Sequence, residues 1–320
     1  MHNILVTSIG SASAESVISQ LKKEKNRIIG TNIFDEKHTY CSMIVDAFYK
    51  VSRSDSEKFI KEVLDICWRE KIKYIIPLTD LEVDSFNRHR DLLKRNGLIV
   101  CYSDYDCILT CRNKYLSSVL VNSLNVCNVP KTIKVFDENI HSFPVICKKI
   151  HGRSSEGVKV LRSLDDFNKF RANLSDDYII QEYIEGNVVT VDLLRYEDQV
   201  LSVSREEIVR TVNGLGISVC TFKDDNLDDI VRVIADSLNV YGCVNFEFIK
   251  TDTGYYFIEC NPRFSGGINF SLLSGYDFIL NHFHCFSNEG VDGSCNTIEH
   301  VINRKYTDII YSGDDNYEHN

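Results

Sequence analysis

The sequence predicts an α/β domain with a parallel, doubly wound sheet, followed by a half of α+β character. Two observations carry that division. Strand-like and helix-like runs alternate through the first hundred residues, the rhythm of parallel strands joined by crossover helices. After about residue 105 the texture changes, and strands begin to follow one another directly in a mixed antiparallel pattern.

In the first half, "NILVTSIG" reads as an apolar strand, "SAESVISQLKKE" as an amphipathic helix and "RIIGTNI" as a second strand. Then come "DSEKFIKEVLDICWREK" as a helix, "KYIIPLTD" as a strand, "VDSFNRHRDLLKRNG" as a polar helix and "LIVCYS" as a strand. The loop "SIGSASAES" has Gly10 as its sole glycine and lacks G-x-G-x-x-G, so it does not support a nicotinamide dinucleotide. A tight turn with Ser11 and Ser13 capping the helix is the expectation, and such a turn can still hold an anion.

In the second half, "CRNKYLSSVLVNSLNV" reads as one helix and "VPKTIKV" as a short strand. The run "FPVICKKIHGRSSEGVKVLRS" gives two strands around a small-residue loop, and "LDDFNKFRANL" a helix. A long strand-rich stretch from Asp177 to Arg210, broken at Gly186, precedes the helix "NLDDIVRVIADSLNV". The hairpin "VNFEFIKTDTGYYFIECNPRFSGG" follows. The tail "SGDDNYEHN" is expected to fray.

Composition narrows the class. The chain is 43% hydrophobic and 26% charged, with 36 basic against 46 acidic residues and a net charge of −10, which argues against nucleic-acid or anionic-membrane partners. The N-terminus has no basic segment before a long apolar core, so no signal peptide is expected, and no apolar run approaches the ~20 residues a bilayer requires. Twelve cysteines occur without a C-x-x-C pair, several inside apolar strands, which predicts buried free thiols in a reducing cytoplasm.

Chemistry concentrates in the hairpin. By strand alternation Asn245 and Glu247 share one face of their strand, as Glu259 and Asn261 share one face of theirs, while Val244, Phe246, Phe248, Ile258 and Cys260 point the other way. A hairpin symmetric about Thr253 sets Glu247 opposite Glu259 and Asn245 opposite Asn261. Opposed carboxylates destabilise a sheet unless a pKa rises or a hard divalent cation binds; the hairpin alone fits a solvated acidic face equally well. Pro262 then stops the strand, leaving Arg263 at a fixed corner before Gly266 and Gly267, where backbone can approach a ligand closely. An arginine there suits a metal-bridged polyphosphate or, more plainly, an Arg–Glu salt bridge. Elsewhere, Lys148 ends an apolar strand just before a loop holding Gly152, Ser154, Ser155 and Gly157, whose backbone N–H groups can meet phosphate. Lys148 and Lys149 face opposite ways. "IIQEYIEG" ends a strand at Gln181, Glu182, Tyr183 and Ile184, where unpaired backbone groups can read a base edge. "His282-Phe-His284-Cys285" is a helix fragment without a second ligand cluster and is not read as a metal site.

Lys114, "FPVICKK", "GRSSEGV", "IQEYIEG…TVD" and "NFEF…YFIECNPRFSGG" occur in an order and spacing that resembles the ATP-grasp superfamily, and within it the carbamoyl-phosphate-synthase-like carboxylate–amine ligases. The resemblance implies a Rossmann-like pre-ATP-grasp domain at 1–105, a small lid subdomain at 106–185, a C-terminal subdomain with the metal and phosphate site at 186–310, and a tail from 311 to 320. It implies that Lys114 and Lys148 hold the phosphates of ATP and that the loop from Gly152 to Gly157 is a lid. Gln181, Glu182, Tyr183 and Ile184 become the adenine hinge, Glu247, Glu259 and Asn261 the ligands of Mg²⁺ or Mn²⁺, and Arg263 the residue nearest the transferring phosphoryl group. One departure is Val188, which stands where many relatives carry a ribose-binding glutamate, with Asn187 or Asp192 as substitutes.

The implied activity is ligation: ATP phosphorylates a small-molecule carboxylate, and an amine or ammonia attacks the acyl phosphate. A phosphotransferase and a non-catalytic nucleotide-binding module are the rival readings. Arg205 and Arg210 border the expected acceptor pocket, where either holds a carboxylate or forms a surface salt bridge with Glu206 or Glu207. A homodimer is compatible with these expectations.

Overall fold

The computed structural model describes residues 1–136, 142–153, 157–171 and 175–311. Two compact units emerge. The first comprises Met1–Tyr102, Ile279–Gly290 and the described residues from Arg304 onward; the second comprises Ser103–Phe278 and Val291–Asn303. Ser154, Ser155 and the tail from 312 to 320 lie outside the described residues. Among the described residues, no helix is long and apolar enough to cross a membrane.

In the first unit the chain runs β1 (Asn3–Val6), α1 (Ala14–Lys23), β2 (Arg27–Asn32), β3 (Ala47–Lys50), α2 (Phe59–Arg69), β4 (Tyr74–Ile76), α3 (Asp80–Arg88), α4 (Arg90–Arg95) and β5 (Ile99–Val100). The strands form one parallel sheet in the order β3-β2-β1-β4-β5. Ile4, Leu5, Val6, Ile28, Ile29 and Ile75 are wholly buried, as strands covered on both faces require. Three details depart from expectation. The strand at "KYIIPLTD" stops at Ile76, because Pro77 has no N–H for a sheet ladder. The polar helix divides at His89 into α3 and α4. Ser13 stands at the start of α1 without a side-chain capping bond; the Ser11 and Ser13 hydroxyls instead lie 3.4 Å apart.

The second unit continues with α5 (Tyr105–Arg112), α6 (Lys114–Leu124), β6 (Thr132–Lys134), β7 (Val145–Lys149), β8 (Lys159–Leu161), α7 (Leu164–Arg171) and β9 (Tyr178–Glu182). After these come β10 (Asn187–Tyr196), β11 (Gln199–Arg210), β12 (Gly216–Phe222), α8 (Asp225–Ser237), β13 (Gly242–Thr251), β14 (Gly254–Asn261), α9 (Ile268–Leu273), α10 (Phe278–Ser287) and β15 (Val301–Asn303). Two sheets result: β6-β9-β7-β8, and β14-β13-β10-β11-β12-β15. The expected single helix from 111 to 126 is instead two, because Asn113 turns extended and its side chain accepts from the N–H groups of Tyr115 and Leu116, at 3.1 and 3.0 Å. This cap starts a new helix at Lys114.

The core of this unit lies against one face of the larger sheet. Val189, Val191, Leu193, Phe246, Phe248 and Phe257 pack there on Leu227, Val231 and Ile234 of α8. Each fully buried side chain of this kind contributes roughly 1.5–3 kcal/mol. All twelve cysteines are free, and nine are buried.

Candidate functional site

The site is built on the face of the larger sheet opposite the α8 core. Asn245 pairs with Asn261, and Glu247 with Glu259, the registration expected from alternation. The ladder then slips, since Phe248 pairs with Phe257 and Ile258 is left over as a bulge. This corrects one expectation. Phe257, not Ile258, joins the core cluster, and the extra residue lets Phe257 and Glu259 point to opposite faces although they are two apart. Cys260 lies in the core as expected.

Glu247 and Glu259 are a quarter and a fifth exposed. Burial and the neighbouring Glu259 charge raise the Glu247 pKa, with Arg210 acting against them from 3.4 Å. Burial would also raise Glu259, but Lys114 and Lys148 outweigh it and hold that carboxyl well below the usual range. The pair therefore titrates asymmetrically, with Glu259 the firmly ionised member.

Lys114 is placed by two backbone contacts. Its N–H donates to the Ile150 carbonyl at 3.1 Å, fixing the start of α6 against the end of β7. Its Nζ then donates to Glu259 Oε2 at 2.7 Å and to the Gly152 carbonyl at 2.9 Å. Lys148 is the penultimate residue of β7 and is 5% exposed, whereas Lys149, which ends the strand, is half-buried. Burial lowers the Lys148 pKa to about 8, partly offset by Glu259. Arg210 also donates from Nε to the Gly214 carbonyl at 3.1 Å.

These contacts bear on a cation. Asn261 donates its amide N–H groups to Asn245 Oδ1 and Glu259 Oε1, at 3.3 and 3.2 Å, so its side-chain oxygen is the remaining acceptor. Two carboxylates and an amide oxygen on one strand face are the hard donors that Mg²⁺ takes. Lys114 and Arg210 already place positive groups against both carboxylates. The residues present fit the metal.

Other predicted residues fall around this floor. Pro262 follows β14, and the Arg263 carbonyl accepts from Asn245 Nδ2 at 3.0 Å, which sets the corner. Arg263 Nη1 donates to the Phe264 carbonyl at 2.9 Å. Gly267 leaves no room for a side chain, because a Cβ there would stand 2.9 Å from both Arg205 and Phe270. Gly266 precedes it and is half-buried. On the smaller sheet, buried Gln181 donates to Thr132 Oγ1 at 2.8 Å. Glu182 is exposed, and its N–H donates to the Lys131 carbonyl at 2.9 Å. Tyr183 and Ile184, both half-buried, continue that strand end, and Gly157 adopts φ +72°.

Arg205 forms the expected salt bridge with Glu207, but buried rather than at the surface. It is 1% exposed and donates to Asp192 at 2.5 Å, Glu207 at 3.1 Å, Ser265 at 3.0 Å and Ser271 at 3.3 Å. Three residues it bonds lie on β10, on β11 and in the Arg263–Gly267 corner, so it braces the loop rather than waiting for a ligand. Asp192 is wholly buried in that network, and Asn187 donates to Glu206 at 2.8 Å. Val188 stands on the same face as Thr190, which lies opposite Glu247 in register. The Arg210–Glu247 pair was not legible in sequence because it joins β11 to β13, and of the Arg205 network only the bond to Glu207 was legible.

Comparison with known proteins agrees with this architecture. Residues 4–101 match the family described as PylC-like, N-terminal domain, and residues 175–308 match the family described as ATP-grasp in the biosynthetic pathway with Ter operon. The carbamoyl phosphate synthase large chain of Thermoanaerobacter sp. (strain X514) is 28% identical over 227 residues, 64% of this chain and 21% of that protein. The chain thus spans about a fifth of this curated relative. Among solved structures, the Campylobacter jejuni biotin carboxylase–β-γ-ATP complex superposes with a TM-score of 0.78 at 14% identity, covering 91% of this chain and 72% of that one. The L-amino acid ligase from Bacillus licheniformis gives 0.71 at 12% identity, with 89% and 74% covered. The chain carries a PylC-like N-terminal domain followed by an ATP-grasp domain.

Proposed function

We propose that the chain is an ATP- and magnesium-dependent ligase that activates a small-molecule carboxylate as an acyl phosphate for attack by an amine or ammonia. The observation that carries the reading is the opposed Glu247–Glu259 pair with Asn261, faced by Lys114, Lys148 and Arg210. An acidic floor alone would repel a nucleotide. With three cationic side chains around it, the same floor suits phosphate oxygens.

Each side chain has a defined part. Lys114 and Lys148 hold the phosphates, and Lys114 also bonds the Gly152 carbonyl. Gln181 braces the strand end at which Glu182, Tyr183 and Ile184 meet the base. Glu247, Glu259 and Asn261 would hold Mg²⁺, which supplies charge neutralisation at the phosphates. Arg263 faces the transferring phosphoryl group and offsets charge as the leaving oxygen departs. Arg210, a quarter exposed, takes the acceptor carboxylate beside Gly266 and Gly267. No side-chain nucleophile is required. The twelve free thiols favour a reducing compartment.

The test is an ADP-release screen crossing carboxylates with amines and ammonia, followed by mass spectrometry of the product. The expected result is ADP release that requires both substrates and yields an amide. A phosphorylated product without amide would establish the phosphotransferase reading, and nucleotide binding without substrate-dependent release would establish a binding module.

A further inference from the structure

Outside the nucleotide floor, a second convergence of ligating atoms occurs in the first unit. Glu24 lies just beyond α1, His284 on α10 and Glu289 just beyond α10, and one donor atom from each lies within 4.8 Å of the others. His284 Nε2 stands 2.8 Å from Glu24 Oε1 and 3.1 Å from Glu289 Oε2. His2 approaches the same carboxylate, with Nε2 3.5 Å from Glu289 Oε1.

We propose that Glu24, His284 and Glu289, with His2 completing the set, form a structural site for a divalent transition metal of the zinc class. It would fasten the returning segment Ile279–Gly290 to the N-terminal portion of the same unit. Three observations support this. First, His284 Nδ1 donates to the Gly290 carbonyl at 3.1 Å. A backbone carbonyl on one ring nitrogen fixes the tautomer and leaves the other as ligand, the arrangement that metal-binding histidines show. Second, two carboxylates converge on that single nitrogen. One proton on Nε2 cannot align with both, whereas a cation between them satisfies both. Third, the spacings suit the ion. Donors at ~2.0–2.2 Å from a tetrahedral zinc lie roughly 3.3–3.6 Å apart, and the three imidazole–carboxylate separations, 2.8 to 3.5 Å, lie close to that range.

The ring of His2 is held for the role. It packs edge-on against Tyr74 and Phe283, with centroids 5.2 and 5.6 Å away. An imidazole–carboxylate set of two nitrogens and two oxygens selects zinc or its neighbours over magnesium. The neighbouring His282 and Cys285 take no part. His282 is buried with Nε2 3.1 Å from the Cys101 carbonyl, and burial lowers its pKa to about 4. Cys285 is buried and donates to the Asn281 carbonyl. The partners of His284 are remote in sequence or lie beyond the helix, which is why the fragment alone shows no ligand set.

The experiment uses the full chain, stripped by chelator and held in excess Mg²⁺ to occupy the nucleotide floor. It is titrated with Co²⁺ by visible absorption and with Zn²⁺ by calorimetry. One equivalent should bind, with four-coordinate cobalt bands, no thiolate charge-transfer band, and a raised melting midpoint. Removing outer-shell partners alone costs ~10–100-fold, so His284→Gln and Glu289→Gln should each lose at least ~100-fold in affinity and abolish the stabilisation. Glu24→Gln, at a partly exposed position, provides a variant that keeps its fold. Glu259→Gln should leave zinc binding unchanged. A thiolate band, equal affinity in His284→Gln, or binding weaker than ~1 mM would overturn the proposal and leave an ordinary histidine–carboxylate ion pair.

Discussion

Replacing Lys148 with methionine should stabilise the protein while disabling nucleotide binding. Lys148 is 5% exposed, and burial lowers its pKa from 10.5 to about 8. A depression of that size means the charged form is disfavoured in the folded state by roughly 3 kcal/mol, the attraction of Glu259 already included. Methionine fills a similar volume without charge, so Lys148→Met should recover about that amount at neutral pH, or roughly 5–10 °C in the melting midpoint. The sign with pH is fixed. Below about pH 8 the lysine is protonated folded and unfolded, and the full cost is present. Between about 8 and 10.5 only the unfolded chain keeps the proton, so wild-type stability rises and the gain shrinks; above 10.5 it disappears. Chemical denaturation of both proteins from pH 7 to pH 11 measures the difference. Nucleotide titration should show Lys148→Met binding far more weakly than Lys149→Met. A variant no more stable than wild type at pH 7, or a gain independent of pH, would refute the argument.

Glu259→Gln and Asn261→Ala should each abolish ADP release at saturating Mg²⁺ while melting stays cooperative, since neither lies in the apolar core; near-normal turnover in either would remove the metal assignment. Arg205→Met should lose about 3–5 kcal/mol in denaturant unfolding, because it leaves Asp192 and Glu207 buried without their cation. Unchanged stability would show that the network carries no net energy. Val188→Glu should tighten ATP by up to ~10-fold, a charged-acceptor hydrogen bond set against desolvation. Equal relative affinities for ATP and for an analogue lacking both ribose hydroxyls would mean that the ribose is held elsewhere.

What sequence could show of the fold follows from periodicity. Strands such as Asn3–Val6 and helices such as Phe59–Arg69 carry their burial pattern in consecutive residues. The helix breaks at His89 and Asn113 were hidden because no proline or glycine marks them; a polar side chain turning back on the backbone ends the run at Asn113. β3 escaped because its residues are only half-buried and show no alternation. β12 was concealed by the irregular register at Glu207 to Arg210, which no local pattern encodes. The bulge at Ile258 is of the same kind, and it matters more, since it decides which face Glu259 occupies.

The candidate site divides along the same line. Alternation is local, so the opposed acids were legible; charge compensation is tertiary, so Lys114 on Glu259 and Arg210 on Glu247 were not. That compensation resolves an apparent conflict. A chain of net charge −10 should repel a polyphosphate, and an acidic hairpin should repel it further. Around the hairpin, however, Lys114 and Lys148 act on Glu259, Arg210 on Glu247, and Arg205 on the neighbouring Glu207, so each carboxylate is met by a cation. Low-dielectric walls strengthen those pairings, while the distant acids are screened beyond ~10 Å. Lys114 and Arg210 are held by the carboxylates that a cation would take over. With a cation held by those carboxylates, Lys114 would be free for phosphate and Arg210 for the acceptor carboxylate, an exchange of internal ion pairs for external ones that leaves no buried charge unpaired.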